Sequence, residues 1–173
     1  MNSNHPIPRI ALVSTRPGSI LDVTWQDGTA DNVNLSGWIA MGQETLSPLT
    51  VPKVFGRAQV ADYGLSVQWG DDEDLSIDSL HLAMLAEQQR PFIGRDLLEW
   101  QKKVGLSNQE AAEFLGISPS TWHNYKNSIR SLPTAIQIAC RASERDSVLF
   151  EAHYRPRRAG RPSGDMTWAD LVR

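Results

Sequence analysis

The chain has 173 residues, 40% of them hydrophobic and 21% charged, with a net charge of −3; this is the balance of one ordinary or two small globular domains and excludes an overall disordered chain. A single cysteine, Cys140, excludes an internal disulfide framework and a cysteine-based zinc finger, and fits a reducing cytoplasm. The start, MNSNHPIPRIALV, lacks a basic segment followed by a long apolar one, so no signal peptide is expected, and no apolar run reaches the roughly 18 to 20 residues of a membrane span.

The first half reads as strands. Ile10 to Thr15 is an apolar run closed by the turn signal Arg16-Pro17-Gly18, and Ser19 to Trp25 alternates, with Leu21, Val23 and Trp25 sharing one face. Gln26-Asp27-Gly28 predicts a hairpin turn before Thr29 to Leu35. Ser36 to Met41 predicts one helical turn or two, and Leu46 to Pro52, with two prolines, an extended loop. Arg57–Asp62 and Leu65–Trp69 form a second hairpin around Tyr63-Gly64, with Val60, Leu65, Val67 and Trp69 as core candidates. After the acidic loop Asp71 to Asp74, Ser76 or Asp78 caps a helix running to about Gln89. Strands, short helix, strands and helix in that order indicate an α+β domain over residues 1–90.

Gln88 to Pro91 marks a boundary, because polar residues and a proline follow a helix and the charge balance changes there. Residues 1–94 hold five Lys/Arg and eleven Asp/Glu, a net −6; residues 95–173 hold twelve and nine, a net +3. A phosphate polymer is therefore expected to meet the second half. Asp96 to Val104 is amphipathic, with Leu97, Trp100 or Gln101, and Val104 at helical spacing.

Leu106 to Asn127 reads as two short helices joined by a tight turn. Ser107 and Glu110 form a capping box that starts a helix at Asn108, Ala111, Ala112 and Leu115 give it an apolar face, and Gly116 supplies the positive φ that ends it. Ile117 plugs the core below the turn, and Ser118-Pro119 restarts a helix to about Asn127. A loop, Ser128 to Leu132, leads to a helix from Pro133 to about Ser143 that buries Ile136, Ala139 and Cys140. Asp146 to Tyr154 fits a helix or a strand, and Thr167 to Val172 a terminal helical turn.

Residues 94–142 resemble the phage-repressor (Xre, lambda-repressor-like) DNA-binding family. The resemblance lies in Leu-Ser-x-x-x-Ala-Ala-x-x-Leu-Gly-Ile-Ser-x-Ser-Thr, with Asp96-Leu97-Leu98-Glu99-Trp100 before it and Arg130-x-x-Pro133 after. The sequence departs from that family at Asn108, where Gln is usual, at Gln101, where Arg is usual, and at Pro119, the first base-facing position. The segments LDVTWQDGTADNVNL, LSPLTVPKVFGRAQV and LSVQWGDDEDLSIDSLH resemble a small bacterial domain family of unknown function, which implies a fold and no activity. The expected architecture is thus a small antiparallel-strand α+β N-terminal domain, an all-α lambda-repressor-like helix-turn-helix domain over 91–154, and a flexible basic tail over 155–173.

If the second motif helix, 119–127, enters a major groove, helical periodicity turns Ser120, Thr121 and Asn124 outward and Trp122 or Tyr125 inward. Asn124 leads as a base reader because a carboxamide bonds adenine N6 and N7 together. His123 is a further base-contact candidate, and Asn108, Gln109, Lys126, Asn127 and Arg130 lie at helix starts or in the loop, where phosphate is held. In the tail, Arg158, Gly160 and Arg161 are similar to the Gly-Arg-Pro core of minor-groove AT-hook peptides. The four histidines are scattered, and no glycine-rich phosphate loop, Gly-x-Ser-x-Gly elbow or zinc pattern occurs, so no enzyme, metal or cofactor is expected. The sequence predicts a cytoplasmic homodimer that binds duplex DNA and regulates transcription. The competing reading is an adaptor or antitoxin-like protein whose acidic N-terminal domain masks a basic partner protein.

Overall fold

The computed structural model describes residues 7–71 and 74–157. The chain is α+β and divides into two compact units, one ending at Arg90 and the other beginning at Pro91.

In the first unit, β1 (Ile10–Arg16), β2 (Ile20–Trp25) and β3 (Ala30–Asn34) form an antiparallel sheet in that order. Arg16 faces Ile20 across Pro17-Gly18-Ser19, a turn in which Gly18 and Ser19 both take positive φ. The second turn runs through Gly28 at φ +85°, and the Asp27 carboxylate accepts from the Thr29 N–H at 2.9 Å. Alternation then places Leu21, Val23 and Trp25 in the core. A second antiparallel sheet follows, β4 (Ala58–Ala61), β5 (Ser66–Trp69) and β6 (Ser76–Asp78). Helix α1 (Ser36–Met41) precedes single turns α2 (Gln43–Leu46) and α3 (Pro52–Phe55), and α4 (Ser79–Gln89) closes the unit.

Three expectations change here. Leu46 to Pro52 is mostly helical rather than extended, Val51 alone being extended: a 3-10 turn spans Ser47–Thr50, and Pro48 and Pro52 sit in first turns, where a missing N–H costs nothing. Leu65 lies in a turn before β5, half-buried and outside the core that Val67 and Trp69 enter. The strand β6 is an addition, its three residues being too few to show a period. Asp78, not Ser76, caps α4, accepting from the His81 N–H at 2.8 Å. The far end of α4 is tied to β3: Gln89 exchanges hydrogen bonds with the Asn34 backbone at 2.7 and 2.9 Å, and Arg90 grips Asp31 through two bonds of 2.9 Å. That guanidinium holds the Asp31 carboxyl below the usual carboxylate range.

The second unit is helical through its described residues: α5 (Gly94–Val104), α6 (Asn108–Phe114), α7 (Pro119–Lys126), α8 (Thr134–Arg145) and α9 (Ser147–His153). Segment 146–154, open between helix and strand from sequence, is helix with Asp146 as its cap. The core gathers Phe92, Leu97, Trp100, Leu106, Ala111, Ala112, Trp122, Leu132, Ile136 and Cys140, with Ala139 only half-buried. Trp100 donates to the buried Ser143 hydroxyl at 3.0 Å, which donates in turn to the Cys140 carbonyl at 2.8 Å. Burial pushes the Cys140 thiol up to about 12, so it is a packing group. No helix among the described residues is long and apolar enough to cross a membrane.

Candidate nucleic-acid interface

The α6–α7 pair is fixed by local chemistry at each junction. Ser107 Oγ accepts from the Glu110 N–H at 3.3 Å, and the Glu110 carboxylate accepts from the Ser107 N–H at 3.0 Å, so each residue satisfies the other's orphan donor. At the far end Gly116 takes φ +65°; its N–H reaches the Glu113 carbonyl at 3.1 Å and the Ile117 N–H reaches the Ala112 carbonyl at 2.9 Å. These two bonds define a Schellman stop. Two residues later Ser118 accepts from the Thr121 N–H at 3.1 Å and opens α7 with Pro119 in its first turn.

One face of α7 is anchored and the other is open. Trp122 is buried and its indole N–H donates to Asn108 Oδ1 at 3.1 Å; Tyr125 is half-buried against the same core. Gln101 Nε2 donates to the same Asn108 oxygen at 3.1 Å and to the Leu106 carbonyl at 3.0 Å. Two of the positions at which the chain departs from the lambda-repressor-like pattern, 101 and 108, therefore bond to each other and together hold the indole of α7. Below, the last carbonyls of α7 rest on Gly94 at the start of α5, whose N–H donates to the Ser128 carbonyl at 2.9 Å.

Ser120, His123 and Asn124 are exposed on the open face. Thr121, expected beside them, is half-buried, and its hydroxyl shares a 2.9 Å hydrogen bond with that of Ser118. Gln109 and Arg130 are exposed, whereas Lys126 is half-buried. Asn127 is exposed, but its amide donates to the His123 carbonyl at 2.8 Å and so ends α7. Asn108 keeps its amide N–H groups at the α6 N-terminus while its oxygen is committed. Arg158, Gly160 and Arg161 lie outside the described residues, as does the segment Thr167 to Val172.

Sequence reasoning missed how the chain returns to α6 after α9. Tyr154 stacks on Phe150 and donates to Glu110 Oε1 at 2.9 Å, the Arg157 N–H reaches the same oxygen at 3.3 Å, and the Arg157 guanidinium pairs with Glu113. Residues 155–157, assigned to the flexible tail from their composition, thus begin as a strap on α6. No local pattern signals a contact between residues more than forty apart. Bonds from Ser107, Tyr154 and the Arg157 backbone bring the Glu110 carboxyl down to about 2, and Arg157 holds Glu113 below the usual range. Both folded-state values lie below the unfolded value of about 4.3, so these carboxylates stabilise the fold above that pH and their contribution fades as pH falls toward 2. Resistance of the wild type to urea should fall between about pH 5 and 2, and Glu110→Gln should flatten that dependence; an unchanged slope in the variant would remove Glu110 as its source.

Among the described residues no group of three His, Cys, Asp or Glu is placed to hold a metal ion.

No family model matches the chain, and no curated protein matches it. A solved structure from Nitrosomonas europaea, described there as a "Putative DNA Binding Protein", is 27% identical, covers 79% of this chain and 86% of its own, and superposes with a TM-score of 0.43.

Proposed function

We propose that the second unit is a lambda-repressor-like helix-turn-helix domain that binds duplex DNA, with α7 lying in the major groove, and that the protein regulates transcription. The observation that carries this reading is the division of α7 into two faces. Trp122 and Tyr125 lock one side to the core, while Ser120, His123 and Asn124 stand exposed and close together on the other. An exposed helix held rigidly by a buried face and presenting short polar side chains fits the groove and the donor–acceptor pattern at base edges. Around it, the N-terminal amides of α6, together with Gln109 and Arg130, are suited to phosphate oxygens, and the net +3 of residues 95–173 favours a polyanion.

Asn124 is the base reader in this account, Ser120 and His123 its neighbours, and Thr121 supports the cap that sets where the helix begins. Asn108 holds Trp122 with its oxygen and offers its N–H groups outward. One such unit makes few base contacts, so two copies on half-sites about one helical turn apart are required. Selection of bound fragments from sheared genomic DNA tests the reading: a shared, two-fold-related sequence in the retained pool supports it, and a retained pool indistinguishable from the input removes it.

A further inference from the structure

The sequence of α4 is apolar around most of its circumference, Leu80, Leu82, Ala83, Met84, Leu85 and Ala86 lying within seven residues. Leu82 and Ala86 are buried, yet Leu80 and Met84, one turn apart, remain 51% and 49% exposed. A helix apolar on all sides is ordinarily covered on all sides. The bonds of Gln89 and Arg90 to β3 fix its orientation, so this stripe does not turn inward. Beside it, α1 presents Met41, 82% exposed, and the half-buried Trp38, whose ring meets that of His81 edge-on at 6.5 Å. Between the two helices opens a hollow of about 770 Å³, lined by Trp38, Met41, His81 and Leu85 with Asn34 and Gln89 at its rim.

We propose that this face is the docking surface for a second copy of the chain, joined about a two-fold axis, with Met41 of each copy entering the hollow beside Trp38 of the other. Charge singles out this occupant. Residues 1–94 carry a net −6, yet among the described residues no Asp, Glu, Lys or Arg lines the hollow, and Glu87, exposed about one turn beyond Met84, stands at the end of the stripe. Two acidic units repel each other across most of their surfaces and least across an uncharged one. A basic partner protein would be met by carboxylates, and this face offers none within the hollow. An isologous interface also requires knob and hole on the same patch, as Met41 and the hollow are, and flexible methionines adapt well to such a fit. The surface stands independently of the DNA reading; only its consequence, two helix pairs presented to two half-sites, rests on it.

Sedimentation equilibrium of the full chain tests the proposal. The wild type should be a reversible dimer, and Met41→Glu with Met84→Glu should weaken self-association at least about a hundredfold, because each carboxylate would be stripped of water against apolar surface. Met41→Glu alone, at a position too exposed to affect folding, should weaken it about tenfold, and this variant decides the matter if the double one does not fold. Hydrogen exchange should show protection that rises with concentration in residues 36–41 and 79–89. A monomeric wild type, an undiminished dimer in Met41→Glu, or concentration-dependent protection confined to other segments would overturn the proposal. Failure of DNA binding in a protein that still dimerises through this face would overturn the DNA reading alone.

Discussion

Gly94→Ala should destabilise the helical unit by on the order of 2–3 kcal/mol, although glycine to alanine inside a helix ordinarily stabilises it. The sign reverses because of what lies beside Gly94. A Cβ there would stand 2.5 Å from the Lys126 carbonyl oxygen, 2.6 Å from that of Tyr125 and 2.7 Å from the Lys126 carbonyl carbon. All three are backbone atoms and cannot swing aside as a side chain would. The α7 C-terminus would have to lift off α5, straining the Gly94–Ser128 bond and the seating of Trp122. Gly37, in the first turn of α1, has open space where its Cβ would be, so Gly37→Ala is the control and should be neutral or stabilising by up to about 1 kcal/mol. Urea unfolding followed in both variants checks the pair. A Gly94→Ala change within about 0.5 kcal/mol of wild type would mean that the two helix ends do not approach this closely.

The second large effect concerns α7 itself. Asn124→Ala should lower discrimination among DNA sequences by about 1–3 kcal/mol, roughly five- to 150-fold at the base pair it reads, while leaving non-specific affinity nearly unchanged. Arg130→Ala should weaken binding to all sequences about equally and reduce the salt dependence by about one unit of slope. Competition binding against matched and single-base-altered duplexes separates the two outcomes. Equal losses in both variants would remove Asn124 as the base reader. Asn108→Ala should behave differently again, because it removes the acceptor of the Trp122 indole N–H and one of the two acceptors of Gln101 Nε2 at once. That change should lower stability as well as affinity, by about 1–3 kcal/mol for the buried donor left unmet.

Which features the sequence declares and which it withholds follow from the range of each interaction. The stop at Gly116 and the restart at Ser118-Pro119 are written within a few residues, as are the capping box and the Asp27-Gly28 turn, so each is legible from its own short stretch of chain. The alternation that buries Leu21, Val23 and Trp25 is local too. Single helical turns such as α2 and α3 are too short to show a period, and a proline serves a first helical turn as well as it serves an extended loop. Gly94 gives no local sign of its importance, because its neighbours in space lie about thirty residues further along the chain. The Tyr154–Glu110 and Arg157–Glu113 contacts are equally remote, and composition alone places Arg157 in a flexible tail. On α7, helical period identifies the open face at Ser120 and Asn124. It carries no sign that Thr121 and Asn127 direct polar groups to the helix's own ends.

The central claim, that the helical unit grips the phosphate backbone while α7 meets the bases, is tested most directly by equilibrium binding of the full chain to genomic duplex DNA across a salt series. With three or more phosphates engaged, the logarithm of the association constant should fall linearly with the logarithm of salt concentration, and affinity should drop about fortyfold or more between about 50 and 200 mM. Undetectable binding at about 50 mM salt, or an affinity that does not change with salt, would contradict it.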